Sequence, residues 1–234
     1  TIMKLNTNSN TYILAYASLL VIAVAFVLAY FSQALKPIQD KNVALDKKKQ
    51  IIAALNIRDV NDNQVEEYYN KLVEADEIIN EKNEVLSAGK PGGENDGFKL
   101  NGGDFKAGKL ALFVCNVDGQ KKYVMPVYGM GLWGGISGYI AINADKETIY
   151  GVYFNHEGET AGLGAEIKDN QKWQQQFCGK HLFADGNQDA VALSVCKKVD
   201  NPATQVDGVS GATLTCDGVT RMIHEGLGKY LVFL

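Results

Sequence analysis

The 234-residue sequence has few cysteines and prolines, four of each, and no excess of basic charge. The cysteines, Cys115, Cys178, Cys196 and Cys216, form no C-x-x-C pair, which is poor spacing for zinc or an iron–sulfur cluster. We therefore expect small buried cysteines and no metal site. If the domain is exported, a disulfide between two of them is an open alternative. The formal net charge of −4 argues against a nucleic acid partner. The chain also has no P-loop, and we expect no dinucleotide site on it.

One long apolar run lies near the start of the sequence. Residues 12–31 read YILAYASLLVIAVAFVLAYF and carry no charge. At about 1.5 Å per residue such a helix spans roughly 30 Å, the thickness of the hydrocarbon core of a bilayer. A cleaved signal peptide and a buried core helix are the alternatives, but a signal peptide usually has a shorter apolar region and a small-residue cleavage site. We predict a single retained transmembrane helix within residues 1–35.

After the anchor, the pattern predicts two helical stretches that form a stalk or linker over residues 36–93. The first places apolar residues from Val43 to Ile57 on one face and a lysine run, residues 47–49, on a solvated face. The second repeats apolar residues at intervals of three and four from Val65 to Leu86. A proline and two glycines at 91–93 then break the pattern.

The remaining segment, residues 94–234, is predicted to be an α+β domain built on an antiparallel sheet. From about residue 108 the hydrophobic period changes to two, which is typical of strands. The four predicted strands lie at 110–117, 121–128, 136–142 and 148–154, and they form two hairpins. Pro126 fits an edge position or a bulge best. A helix over 172–180, a strand over 190–195 and a last helix from Thr213 to about Tyr230 complete the domain.

A nine-residue segment leads directly into the last predicted helix. It reads Asp207-Gly208-Val209-Ser210-Gly211-Ala212-Thr213-Leu214-Thr215. Ser210 and Thr213 are candidate helix caps, and Gly211 and Ala212 leave the backbone open to close approach by a ligand. The free N–H groups and the positive dipole end of a helix start favour a phosphate. From the spacing alone, an ordinary capped helix after a glycine loop remains an open alternative.

This segment resembles the flavinylation motif D-G-x-S-G-A-T-x-T of the FMN-binding domain family. The resemblance implies that a flavin transferase esterifies the phosphate of FMN onto the last threonine, Thr215. It also implies that Ser210, Gly211, Ala212 and Thr213 belong to the cofactor-binding site.

Two further segments are similar to the same family. Residues 158–164, GETAGLG, resemble its G-E-T-P-G-L-G segment, which lies against the flavin ring; Ala161 stands where proline is usual and loosens the backbone restraint. The cofactor-binding residues implied by this segment are Glu159, Thr160, Leu163 and Gly164. Residues 129–133, GMGLW, resemble its G-x-G-L-W segment, which implies that Trp133 packs beside the ring, although packing in the core is an equal alternative.

The order of anchor, charged helical stalk and FMN domain resembles the C-subunit family of the sodium-translocating NADH:quinone oxidoreductases (Nqr). The resemblance implies a flavoprotein component of an ion-transporting oxidoreductase complex that relays electrons through covalent FMN, with no catalytic residue during turnover. The implied partners are subunits A, B, D, E and F, the flavin transferase and membrane lipid. Two alternatives stay open: the G subunit of an Rnf-type electron transport complex, and a non-redox membrane-anchored binding or scaffold protein in which the motif is only a helix cap.

Charge counting and the resemblance disagree about membrane orientation. Lys4 alone precedes the span, whereas Lys36, Lys41 and the run 47–49 follow it, so the positive-inside rule places the large C-terminal part in the cytoplasm. The resemblance implies the bacterial inner membrane with the flavin domain on the periplasmic side. We follow the resemblance, because neighbouring helices of a complex can influence topology.

Overall fold

The computed structural model describes residues 9–234. The chain divides into two compact units, with the boundary between Asp46 and Lys47. In chain order the helices and strands are α1 (Asn10–Ala54), α2 (Val65–Leu72), β1 (Val73–Ile79), β2 (Val85–Ser87), α3 (Gly102–Lys106), β3 (Leu110–Val117), β4 (Gln120–Met130), β5 (Gly135–Asn143), β6 (Ile149–His156), α4 (Glu166–Asp169), α5 (Gln171–Gln175), β7 (Ser194–Cys196), β8 (Gln205–Asp207) and α6 (Thr213–Gly228). A short 3-10 helix, Gly97–Lys99, precedes α3.

The apolar run forms the first part of α1. Within residues 9–234, α1 is the one helix long and apolar enough to cross a membrane, with a mean hydropathy of 2.5 over its most apolar window, none of which is buried. The helix continues through the first predicted stalk stretch and ends at Ala54. Lys4, which entered the prediction of orientation, lies outside the described residues.

The prediction of a solvated face for the lysine run 47–49 is wrong at Lys48. Its side chain is only 3% exposed and its Nζ lies 2.6 Å from a carboxylate oxygen of Glu66, with Glu94 as a second partner. Two carboxylates compensate the buried ammonium, as a buried charge requires. Neither partner is close to Lys48 in sequence, so the helical pattern of the stalk gave no sign of the pairing.

The second predicted helix, from Val65 to Leu86, is correct only as far as Leu72. The chain then turns into β1, which pairs antiparallel with β2 on one side and β3 on the other. The buried residues of β1 are Val73, Asp76 and Ile79, and the pairing with β3 shifts register between Val73 and Ala75. Successive buried residues of β1 are three positions apart, so the segment lacks the period of two that is typical of a strand.

The central element of the second unit is a six-stranded sheet with the order β2-β1-β3-β4-β5-β6, antiparallel throughout. Both predicted hairpins are present, and the α+β prediction is confirmed. In the first hairpin, Asp118 and Gly119 have φ angles of 52° and 80°, the positive values that a two-residue type I′ turn requires.

Pro126 lies in β4, an interior strand, opposite Tyr139 of β5. The pairing of β4 with β3 extends only as far as Phe113 opposite Val124, so Pro126 follows the end of that pairing. An interior strand can therefore accept proline here, because one side of β4 is locally an edge.

The region between β6 and α6 is less regular than predicted. The helix expected over 172–180 is the shorter α5, and the strand expected over 190–195 begins only at Ser194. The backbone N–H groups of Ala192 and Leu193 both donate to the carbonyl of Leu182, which keeps them out of a ladder. β7 pairs in parallel with β8, a strand that the sequence pattern did not reveal.

α6 packs against β4, and glycines hold the two elements close together. A Cβ on Gly218 would lie 2.5 Å from the carbonyl oxygen of Met130, and one on Gly226 would lie 2.7 Å from Cγ1 of Val127. Real Cβ atoms do not approach so closely, so a larger residue at either position would push α6 away. The first turn of α6 therefore lies next to the end of β4.

Asp76 anchors the loop that the sequence predicted around residues 91–93. Its side chain is fully buried and accepts hydrogen bonds from the backbone N–H groups of Lys90, Asp96 and Phe98. A Cβ on Gly93 would overlap the Asp76 carboxylate. The carboxylate thus satisfies three backbone donors that the loop would otherwise leave unpaired.

Candidate functional site

Three segments that are distant in sequence meet at one cleft of about 210 Å³. They are the loop that follows β4, the loop that follows β6 and the first turn of α6. The cleft is lined by Leu132, Trp133, Glu159, Thr160, Leu163, Gly164, Gly211, Ala212, Thr213, Leu214 and Thr215. The structure thereby brings together every residue predicted for a cofactor site except Ser210, which is exposed at the approach to α6.

Thr215 lies in the first turn of α6 and is 1% exposed. Its hydroxyl Oγ1 donates a hydrogen bond of 2.6 Å to Oε2 of Glu159, 56 positions earlier in the chain. A hydroxyl bound to a carboxylate makes a short, charge-assisted hydrogen bond. The threonine of the motif is therefore fixed against the loop that follows β6.

Glu159 is 7% exposed and is held at both carboxylate oxygens. While Oε2 accepts from Thr215, Oε1 accepts from the backbone N–H of Trp133 at 2.9 Å. Burial by itself raises the pKa of the Glu159 carboxyl. Hydrogen bonds from Thr215 and from the backbone N–H groups of Trp133 and Leu132, together with the nearby His156, lower the pKa by more. The pKa therefore lies below its ordinary value. Glu159 is accordingly a carboxylate at neutral pH.

Glycines allow the segments to close on this pair. A Cβ on Gly164 would lie 2.5 Å from Oε2 of Glu159 and 2.7 Å from Oγ1 of Thr215, and a Cβ on Gly131 would overlap the other carboxylate oxygen. Gly211 has a φ of +76°, and a Cβ there would approach Cδ2 of Leu163 to 2.8 Å. Gly131, Gly164 and Gly211 are thus required by contacts within the cleft.

The loop from Thr160 to Gly164 forms a tight turn although it lacks the proline usual in similar sequences. The carbonyl of Thr160 accepts from the N–H groups of Leu163 and Ala165, at 3.1 and 3.0 Å. Gly162 adopts a φ of +73°, which a glycine reaches without strain. Two backbone hydrogen bonds supply the restraint that Ala161 does not.

Neither Ser210 nor Thr213 caps α6, so that prediction is wrong. The residue at the N-cap is Ala212, and no side chain there accepts from the helix. Ser210 lies two residues too early and Thr213 is already the first helical residue. The N–H groups at the start of a helix have no partner within the helix, so the start of α6 can receive an anion.

Large apolar side chains surround the cleft and are exposed. Trp133 is 69% exposed, which shows that packing in the core, the alternative at this residue, is wrong. Leu132, Leu163 and Leu214 are also exposed at the same cleft. Exposed apolar side chains grouped in one place are typical of a binding site. Their arrangement beside the start of α6 fits a ligand with a flat apolar ring at one end and a phosphate at the other.

Sequence reasoning named Glu159 and Thr215 separately but missed that they are bonded to each other, and no local signal could have shown it. It also gave no role to His156, whose Nδ1 accepts from the backbone N–H of Glu159 at 3.2 Å. All four cysteines are free; Cys115 and Cys216 are buried, whereas Cys178 is exposed. Over residues 9–234, no group of three or more His, Cys, Asp or Glu residues is placed to hold a metal ion.

The chain is similar in sequence and in fold to known proteins. Residues 131–228 match the family described as FMN-binding domain. The C subunit of the Na(+)-translocating NADH-quinone reductase of Haemophilus ducreyi is 32% identical over 251 aligned positions, which cover 97% of this chain and 95% of that protein. The protein of the same name from Pseudomonas aeruginosa is 29% identical and covers 96% of this chain. The crystal structure of the C subunit of this reductase from Parabacteroides distasonis superposes with a TM-score of 0.77 at 36% identity, over 85% of this chain and 96% of that one.

Proposed function

Because this chain belongs to the family formed by the C subunits of the Na(+)-translocating NADH-quinone reductases, we propose that it relays electrons through an FMN attached covalently to Thr215. It is a flavoprotein and one component of an oxidoreductase complex, as its family and its FMN-binding domain indicate. Family membership favours this assignment over the G subunit of an Rnf-type complex. The non-redox scaffold alternative needs the motif to serve as a helix cap, whereas no side chain caps α6.

The observation that carries the proposal is the position of Thr215. The last residue of the flavinylation motif lies at the inner end of a cleft, in the first turn of α6. A phosphodiester on its hydroxyl would place one negative charge near the positive end of the helix dipole. A threonine that served only the fold would need neither the exposed apolar rim nor the uncapped helix start.

Each part of the cleft fits one part of FMN. Trp133, Leu163 and Leu214 offer apolar surface to the ring, and the first turn of α6 offers N–H groups to the phosphate. Thr160 holds the turn beside the ring through its carbonyl oxygen. Thr213 is exposed in the lining of the cleft, and Ser210 is exposed at the approach to α6; both carry hydroxyls that can donate hydrogen bonds to the phosphate.

FMN supplies the electron-transfer chemistry, while the protein fixes its position and tunes its potential. No residue of the chain needs to act as an acid, a base or a nucleophile during turnover, and Thr215 is a nucleophile only once, during maturation. The partners in this proposal are the other subunits, A, B, D, E and F, and a flavin transferase. The apolar part of α1 anchors the protein in the bacterial inner membrane, with the flavin domain on the periplasmic side.

Covalent flavin can be tested directly on the full chain produced with a flavin transferase. We expect fluorescence that survives denaturing electrophoresis, and an added mass of one FMN less one water that maps to the peptide containing Thr215. Thr215→Val removes the hydroxyl at similar volume and should abolish both signals. Thr220→Val is the matched control, because Thr220 lies on the same helix and bonds to β7 away from the cleft. An unmodified Thr215 in the presence of active transferase would overturn the proposal.

A further inference from the structure

We propose that Glu159 is the general base of the chain's own flavinylation: it takes the proton from the Thr215 hydroxyl as the flavin phosphate is attached. This inference rests on the proposed function, and it assigns a chemical role to a residue of the acceptor protein. The hydroxyl already donates to the carboxylate at 2.6 Å, within the reach that a general base needs. Glu159 would thus be a catalytic residue of maturation, since it touches the reacting atom.

A threonine hydroxyl is a poor nucleophile until a base removes its proton. The only titratable side chain that hydrogen-bonds to Oγ1 of Thr215, within residues 9–234, is that of Glu159. The imidazole of His156 also lies near the pair, but its Nδ1 accepts from the backbone N–H of Glu159 and not from the hydroxyl. Base and nucleophile are therefore paired before any donor binds.

The surroundings orient the carboxylate for this task. Oε1 is occupied by the N–H of Trp133, so Oε2 is the oxygen left to the hydroxyl. Gly164 lies directly against both groups, and its lack of a Cβ lets the pair form in a buried position. A carboxylate fixed in this way needs no rearrangement when the proton moves.

The step balances if the donor is a flavin phosphoanhydride such as a flavin dinucleotide. A bond forms between Oγ1 of Thr215 and the phosphorus of the flavin phosphate. The anhydride P–O bond breaks, and its electron pair leaves with the nucleoside monophosphate. The proton of the hydroxyl goes to Oε2 of Glu159, and nothing is oxidised or reduced.

The same transfer solves an electrostatic problem in the product. A phosphodiester on Thr215 would bring a negative charge next to the buried Glu159 carboxylate, and like charges in a buried site repel strongly. After the transfer Glu159 is neutral and carries a proton that it can donate to a phosphate oxygen. The base of the reaction therefore becomes a hydrogen-bond donor to its product.

The test measures the rate of flavin incorporation into the unmodified full chain in detergent, with purified flavin transferase and flavin adenine dinucleotide as the donor. The readout is fluorescence that survives denaturation, followed over time. Glu159→Gln keeps the size and the hydrogen-bond acceptor but cannot take the proton, so its rate should fall by roughly 100-fold or more. Glu157→Gln is the matched control, a neighbouring carboxylate that bonds to the N–H of Gly135, and it should stay within about twofold of the wild type.

A second variant separates a base from a purely structural role. Glu159→Ala opens space beside the hydroxyl, and added formate should restore incorporation in proportion to its concentration, whereas formamide should not. Equal rates for Glu159→Gln and the wild type would overturn the inference while leaving covalent flavin at Thr215 intact. Equal rescue by formamide would also overturn it. No incorporation into the wild type would contradict the proposed function itself, and this inference with it.

Discussion

Replacing Gly164 with alanine tests how tightly the cleft is closed. The φ of Gly164 lies outside the left-handed region, so alanine is compatible with the backbone, and the effect comes from space alone. The new Cβ would lie 2.5 Å from Oε2 of Glu159 and 2.7 Å from Oγ1 of Thr215. The pair must separate, or the loop that follows β6 must move.

Two costs set the size of the effect. Loss of a hydrogen bond to a charged group costs about 1.5 to 3 kcal/mol. Overpacking a closed site costs about 1 to 3 kcal/mol. Because the two act on the same atoms they do not simply add, and we expect the free energy of unfolding to fall by about 2 to 4 kcal/mol.

The assay is thermal unfolding of the full chain in detergent, monitored by tryptophan fluorescence. At about 2 to 4 °C per kcal/mol for a unit of this size, Gly164→Ala should lower the Tm by roughly 4 to 16 °C. Gly158→Ala is the control: it is the same substitution in the same loop, where the nearest atom to a new Cβ is 4.0 Å away, and it should change stability by at most about 1 kcal/mol. Equal Tm values for the two variants would refute the reasoning.

Two further predictions concern buried carboxylates. Asp76→Ala leaves three backbone N–H groups without their partner and should destabilise the protein by about 3 kcal/mol or more. Asp200→Ala, at an exposed site, is the control and should have little effect on stability. Similar Tm values for the two variants would contradict this account of the loop. Because the pKa of Glu159 in the folded state lies below its ordinary value of 4.5, its contribution to stability is complete above pH 4.5 and is lost as the pH falls through the folded pKa. The difference in the free energy of unfolding between the wild type and Glu159→Gln should therefore shrink on acidification, and a difference that stays constant down to about pH 3 would show that the carboxylate is not stabilised by folding.

Local signals predicted the parts of the fold that depend on local interactions. The turn at Asp118-Gly119 predicts its own hairpin, because both residues tolerate the positive φ angles that the turn needs. The start of α6 at Thr213 follows from the glycine before it and the apolar spacing after it. For both features, the residues that determine the structure lie within a few positions of it in the sequence.

The failures have a common physical origin in contacts between distant segments. β1 was predicted as a helix because its buried residues are three positions apart, and its pairing with β2 and β3 depends on segments outside it. Lys48 was predicted to be solvated because its partners, Glu66 in α2 and Glu94, come from later segments of the chain that its own helical pattern does not show. The motifs placed Glu159 and Thr215 in one site, yet the bond between them depends on a fold that brings together positions 56 residues apart.

The glycine contacts between α6 and β4 make the cleft sensitive to distant substitutions. Gly226 is eleven residues from Thr215, about 16 Å along the helix axis, and has no contact with the cleft. A side chain there would push against Val127 and tilt α6 as a rigid body. The tilt would pivot about the close contact between Gly218 and Met130. The displacement would appear at the far end, where Thr215 must stay within hydrogen-bond distance of Glu159. Inherited or engineered changes at such a position could therefore abolish cofactor loading while leaving every residue of the cleft unaltered.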